Sequence, residues 1–271
     1  MIPEERPGLV DQFGRRVEYL RISVTDKCNL RCVYCMPEDG LPWLKKDQLL
    51  SYEEIQTIVK IMAPMGLRRV RLTGGEPLVR KDLPRLVDLI ASVPGIQDLA
   101  ISTNAVLLEN LAQPLKDAGA TRVNISLDSF REDRVDALAR RPGTFRKVLA
   151  GLEAAEKAGL EPIKINVVLL RGKNDDEIQD FAEATRDRPW HVRVIEIMPT
   201  AANLDLSADD FVSFQEALDQ LRTLCDLEAV SGPEGNGPAV YHRFPGAKGP
   251  VGVITHMSHN FCDDCNRLRL T

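Results

Sequence analysis

Arg21-Ile22-Ser23-Val24-Thr25-Asp26-Lys27-Cys28-Asn29-Leu30-Arg31-Cys32-Val33-Tyr34-Cys35 is the stretch that decides the reading of this chain. Its first half alternates. Arg21, Ser23 and Thr25 take one side of an extended backbone and Leu20, Ile22 and Val24 the other, as side chains do along a strand. Its second half packs Cys28, Cys32 and Cys35 into one loop directly after that strand. Parallel α/β sheets gather their chemistry at the carboxyl ends of strands, so the loop occupies a functional position.

The same alternation recurs along the chain. Strand-like runs fall at Arg69–Leu72, Asp98–Ser102, Arg122–Leu127, Ile163–Leu170 and Val192–Met198, besides Tyr19–Val24. Amphipathic helical stretches separate them: Tyr52–Met62, Leu83–Ser92, Glu109–Ala118, Phe145–Ala158 and Asp175–Thr185. Ser51 with Glu54 reads as a capping box, and Gly66, Gly119 and Gly159 stand where helices stop. Repeated strand–helix alternation predicts a parallel sheet covered by helices. Polar residues at every second strand position, among them Arg71, Thr73, Asn124, Ser126, Asp128, Lys164 and Asn166, predict one shared polar face. We therefore expect an α/β fold, a partial (β/α)6 TIM-type barrel with a ligand-filled lumen; an open sheet with one solvated face is the alternative. After Met198 a helix (Asp209–Leu224), a Gly/Pro-rich segment and short strands at Ala239–Phe244 and Gly249–Thr255 predict a small α+β extension. The expected division is a core over 1–200 and a C-terminal region over 201–271.

Net charge of −5 argues against a nucleic-acid coat or a membrane-binding basic patch. The acidic start and the lack of long apolar runs predict a cytoplasmic protein. Cys28, Cys32 and Cys35 cluster, Cys262 and Cys265 form a second pair, and Cys225 stands alone. In a cytosolic chain such clusters point to metal or redox chemistry, not to disulfides. Three thiolates are one short of a closed shell. They need a distant fourth ligand, as in structural zinc, or they leave one metal position open for chemistry.

The Cys-x3-Cys-x2-Cys spacing, with Tyr34 before the last cysteine, resembles the motif of radical S-adenosylmethionine enzymes. Gly74-Gly75-Glu76-Pro77 after the second strand resembles that superfamily's methionine-binding turn. The resemblance implies a [4Fe–4S] cluster on Cys28, Cys32 and Cys35, with the fourth iron taking S-adenosylmethionine to release a 5′-deoxyadenosyl radical.

Arg21, Arg71 and Lys164 place three cations on the polar face, where burial without anions would be costly. Asp128 and Glu196 are candidate internal partners; a polyanion such as a triphosphate is the functional alternative. Joined to Cys262-x2-Cys265-Asn266-Arg267-Leu268-Arg269, this set is similar to the GTP 3′,8-cyclase family of molybdenum cofactor biosynthesis, from about Arg21 to Thr271. The resemblance implies GTP contacts at Arg21, Arg71, Ser102, Lys164, Arg267 and Arg269. It implies S-adenosylmethionine contacts at Tyr34, Gly74, Gly75, Glu76, Ser126 and Met198, and a second [4Fe–4S] cluster on Cys262 and Cys265. The adenosyl radical would take the ribose 3′ hydrogen, and the carbon radical would attack C8 of guanine. Implied partners are a low-potential reductant such as flavodoxin and the next pathway enzyme, cyclic pyranopterin monophosphate synthase; a homodimer is allowed.

Three features depart from that family. Its third second-cluster cysteine and Gly-Gly tail would lie beyond Thr271, so a truncation is expected. Cys225 reads as core, while His256 and His259 are candidate substitute ligands. Ala105 replaces a usual glycine, which suits only a backbone that avoids positive φ. Alternatives are a peptide-maturing radical enzyme with an auxiliary cluster, or an impaired paralogue that binds nucleotide only.

Overall fold

A computed structural model describes residues 8–198, 206–224, 227–230, 239–255, 257–258 and 265–271. Six parallel strands form the centre: β1 (Tyr19–Ser23), β2 (Arg69–Thr73), β3 (Asp98–Thr103), β4 (Arg122–Ser126), β5 (Lys164–Val168) and β6 (His191–Ile195). They lie side by side in chain order. The crossovers carry α1 (Tyr52–Met62), α2 (Leu83–Ala91), α3 (Ala112–Asp117), α4 (Glu132–Ala139), α5 (Thr144–Lys157) and α6 (Ile178–Asp187).

The alternation in the strands explains the layering. Ile22, Val70, Leu72, Ile101, Val123, Ile125, Ile165, Val167 and Val192 are fully buried with Leu86, Ile90, Leu115 and Phe181 from the crossovers. Each such side chain contributes about 1.5–3 kcal/mol by leaving water. The opposite strand face carries the polar residues. At the start of α1, Ser51 Oγ accepts from the Glu54 amide at 3.2 Å and Glu54 accepts from the Ser51 amide at 2.7 Å, so the expected capping box is present.

The C-terminal region extends the same sheet at both edges. It contains α7 (Phe214–Arg222), β7 (Glu228–Val230), β8 (Ala239–Arg243), β9 (Val251–Ile254) and β10 (Arg267–Leu270). β9 adds in parallel to β6, and β8 and β7 follow antiparallel. β10 instead crosses to the far edge and pairs in parallel with β1. The order is β10-β1-β2-β3-β4-β5-β6-β9-β8-β7, and β10 and β7 are its free edges. The sheet is thus a partial barrel that does not close. Among the described residues no helix is long and apolar enough to cross a membrane.

Candidate active site

The cysteine loop leaves β1 and is held on three sides. Beneath α4, the amides of Arg31 and Val33 donate to the carbonyls of Ala139 and Leu138 at 3.1 and 2.9 Å. Beside β3, Asn104 Nδ2 donates to Asn29 Oδ1 at 2.8 Å and lies 3.9 Å from Cys28 Sγ. Beside β2, the amides of Gly75 and Glu76 donate to the carbonyls of Thr25 and Lys27 at 2.7 and 2.8 Å. A Cβ at Gly74 would collide with the Thr25 carbonyl, and one at Gly75 with those of Asp26 and Lys27. The close approach that these glycines permit is therefore to the cysteine loop itself.

Cys28 and Cys32 are half-buried and Cys35 is exposed. Burial raises all three thiols, and neighbouring Asp128 raises Cys32 and Cys35 further. Cys28 and Cys35 also raise Cys32. Thiols that penalise one another's ionisation fit a shared polycation, which would reverse that penalty. Among the described residues no three Cys, His, Asp or Glu side chains converge on one metal ion.

Of the residues expected around S-adenosylmethionine, Tyr34 lies in this loop and Gly74, Gly75 and Glu76 lie against it. Tyr34 donates to Asp128 Oδ2 at 2.6 Å, and Asp128 Oδ1 accepts from the Val168 amide at 2.9 Å. Ser126 ends β4 on the polar face, and Met198, 45% exposed, follows β6. A cavity of about 510 Å³ lies beside them, lined by Ile197, Leu206, Ser207, Ala208, Phe211, Met257 and Ser258. Tyr34, Leu206 and Phe211 pack against the same small apolar cluster of Leu138, Leu170 and Ile197. Glu76 is buried and accepts from the Leu78 amide, the Thr103 hydroxyl and the Asn104 amide at 3.0, 2.7 and 2.7 Å. Burial raises its carboxyl to about 7, against the opposing pull of those donors. It thus ties the β2 and β3 turns together at the rim.

Ala105 has φ +60°, so the backbone here does adopt the conformation that a glycine would suit. The condition set for an alanine here, a backbone that avoids positive φ, is therefore not met. An L-residue in that region carries about 1–2 kcal/mol of strain.

The lumen is strongly cationic. Arg21, Arg71, Ser102 and Lys164 all face it, as the alternation requires, and so do Arg122 and Arg193. These two arginines were not singled out from the sequence, although the period-two pattern running through Asn124 would have placed Arg122, and Arg193 stands between the apolar Val192 and Val194. Arg122 is paired with Asp98 at 2.5 Å. Asp128 and Glu196, the candidate internal partners, do not neutralise the rest. Asp128 takes Tyr34 and Val168. Glu196 accepts from the amides of Phe214, Met257 and Ser258 at 2.8, 2.9 and 3.0 Å.

The cost falls on the lumen's own titratable groups. Burial, then Arg122, Arg193 and Arg71, pulls Lys164 down to about 7. Burial, then Lys164 and Arg193, pulls His191 down to about 4. Arg71 is likewise pulled well below the guanidinium range by burial and then by Arg193, Arg122 and Arg21. Tyr19 Oη, Arg71 Nε, Asn166 Oδ1, His191 Nδ1 and Arg193 Nε are buried without hydrogen-bond partners among the described residues. Of these, Tyr19 Oη, Arg71 Nε and Arg193 Nε can donate, and orphaned donors on one cationic surface fit a polyanionic ligand.

β10 brings the C-terminal motif to the same lumen. Arg267 pairs in register with Tyr19, and Arg269 with Arg21. Burial would raise the Cys265 thiol, but hydrogen bonds from the Arg267 backbone and side chain outweigh it and lower the thiol. That favours a ligating thiolate. Cys262, Cys225, His256 and His259 lie outside the described residues.

With this geometry in hand, comparison with known proteins is specific. Residues 22–185 match the Radical SAM superfamily, and residues 190–271 match Molybdenum Cofactor Synthesis C. A GTP 3′,8-cyclase of Listeria welshimeri is 48% identical over 268 residues, covering 97% of this chain and 79% of that protein. One from Pelotomaculum thermopropionicum is 48% identical over 262 residues, covering 96% and 80%. In fold the chain resembles Streptococcus suis SuiB bound to precursor peptide SuiA (TM-score 0.63, 14% identity, 79% of this chain and 47% of that one). It also resembles methylornithine synthase, PylB (TM-score 0.59, 19% identity, 78% and 63%). The chain belongs to the radical S-adenosylmethionine superfamily and, within it, to the GTP 3′,8-cyclase family.

Proposed function

We propose that this protein converts GTP to (8S)-3′,8-cyclo-7,8-dihydroguanosine 5′-triphosphate, the first step of molybdopterin biosynthesis in the cytoplasm. The observation that carries the proposal is the lumen: among the described residues Tyr19, Arg71 and Arg193 have lumen-facing donors without partners, and Lys164, Arg71 and Arg193 are buried or held against one another. A triphosphate supplies the missing anions.

Cys28, Cys32 and Cys35 would hold a [4Fe–4S] cluster that, when bound and reduced, supplies the electron for cleaving S-adenosylmethionine to a 5′-deoxyadenosyl radical. Gly74 and Gly75 seat their turn against the cysteine loop, Glu76 holds that turn to β3 beside the cosubstrate's methionyl end, and Tyr34, Ser126 and Met198 border its nucleoside. Arg21, Arg71 and Lys164 hold the triphosphate, Ser102 offers a hydroxyl, and Arg267 and Arg269 close the lumen from β10. A substrate held this way would present its ribose 3′ hydrogen toward the cysteine loop and keep C8 of guanine close to C3′. One electron and one proton complete the new ring, so the product is an isomer of GTP. Cys265 and Cys262 would serve a second cluster. A low-potential reductant such as flavodoxin feeds the site, and cyclic pyranopterin monophosphate synthase takes the product.

Anaerobic incubation of the reconstituted protein with GTP, S-adenosylmethionine and dithionite tests this. We expect 5′-deoxyadenosine and an isomer of GTP in equal amounts. Deoxyadenosine formed with a peptide substrate but not with GTP would move the protein to peptide maturation.

A further inference from the structure

Asn124 is completely buried in the middle of β4, with its side chain in the lumen. By register it stands between Ser102 on β3 and Lys164 on β5. Its Oδ1 accepts from Arg193 at 3.0 Å and from Arg122 at 3.4 Å, and its Nδ2 donates to Ser102 Oγ at 3.4 Å. Beyond these contacts, Arg122 is bound by Asp98 through Nε at 2.9 Å and a terminal nitrogen at 2.5 Å. Arg193 is hydrogen-bonded to Tyr241. A single line therefore runs across the lumen: Asp98, Arg122, Asn124, Arg193, Tyr241, with Ser102 as a branch.

Two guanidiniums converging on one oxygen repel each other. A carboxylate would be the stronger acceptor and nearly the same shape. It would also cancel a positive charge that no other described residue in the lumen cancels, because Asp98 is already taken by Arg122. A neutral amide aims both arginines without quenching them.

We propose that Asn124 is a positioning residue whose lack of charge is functional: it orients Arg193 and Ser102 toward the triphosphate while preserving the lumen's positive field. The inference rests on the proposed function and deepens it. It makes a crossed prediction that simple packing does not, since Asp would fill the same space.

The test is a titration of the reconstituted protein with inorganic tripolyphosphate and with GTP, comparing Asn124→Asp and Asn124→Leu with the parent. Melting temperature, its ligand-induced shift and the ionic-strength dependence of binding are read together. Asn124→Asp should melt about 2–4 °C higher without ligand, through its new ion pairs. It should lose most of the tripolyphosphate shift, raise KM for GTP about tenfold or more, and show a flatter salt dependence. Asn124→Leu should melt lower yet keep the parental salt dependence, because the charges remain. Parental tripolyphosphate affinity and salt dependence in Asn124→Asp would overturn the role of Asn124 alone. An unmodified protein with no response to either ligand would overturn the lumen reading and this inference together.

Discussion

Arg21 of β1 and Arg269 of β10 stand opposite each other, residue for residue, across two parallel strands. Burial and then Arg269 pull the Arg21 guanidinium below its usual range. Like charges in register are unfavourable, by at most about 1 kcal/mol, and less here because Arg269 is exposed. The pairing makes sense when an anion bridges the two. Arg269→Gln should therefore leave ligand-free stability unchanged or slightly raised while KM for GTP rises about tenfold. Denaturant midpoints and steady-state kinetics check this; a clear loss of ligand-free stability would assign Arg269 to the fold.

Lys164 gives the site a pH dependence of definite sign. Its folded value of about 7 lies below the 10.5 of an unperturbed lysine. Between those values the unfolded chain binds the extra proton, so ligand-free stability should rise with pH across that window. Triphosphate binding must return a proton to Lys164, so affinity for GTP should weaken as pH climbs above 7. Lys164→Met should flatten both trends. Calorimetry in buffers of different ionisation enthalpy would register the proton uptake.

Much of this was legible in the residues themselves, because a half-buried strand writes its two faces as alternate positions. Arg21, Arg71 and Lys164 declared a polar lumen that way, and Ser51 with Glu54 announced α1. What stayed hidden depends on distant pairing. Nothing local in Arg267–Leu270 says that this short run crosses to β1, while β9 pairs with β6 at the opposite side. α4 escaped notice because it is short, highly charged and ends at Arg140 in a left-handed conformation where a glycine would have marked the stop. Yet its last turn holds the cysteine loop. The roles of Asp128 and Glu196 were also out of reach, since their partners lie 40 or more and 18 or more positions away in the chain.

Glu76 should make the cosubstrate-free protein less stable as pH rises. Its carboxyl is raised to about 7 from the ordinary 4.5, so the native state holds a proton that the unfolded chain has released across that interval. Stability attributable to this residue falls by about 3 kcal/mol from pH 4.5 to 7 and is level above. Glu76→Gln should make the urea midpoint shallower in pH by that amount. An unchanged slope in the variant would remove Glu76 from the account.

Gly151, in α5, supports the cysteine loop from a distance. A Cβ there would collide with the Ala105 carbonyl and approach Leu108 Cβ at 3.1 Å. Ala105 is itself buried at φ +60°, next to the Asn104 that holds Asn29. Gly151→Ala should cost about 1–3 kcal/mol through overpacking. It should also lower the iron retained after reconstitution. Parental stability and iron content would show that α5 yields freely.

The most direct measurement follows a hydrogen atom. GTP deuterated at ribose C3′ is incubated anaerobically with the reconstituted protein, S-adenosylmethionine and dithionite, and the deoxyadenosine is weighed by mass spectrometry. A lumen that grips the triphosphate and presents C3′ to the cysteine loop predicts one deuterium in 5′-deoxyadenosine, lost when Arg71→Ala or Lys164→Met weakens the grip. Deoxyadenosine that forms at full rate, stays free of deuterium and is indifferent to both substitutions would contradict the account.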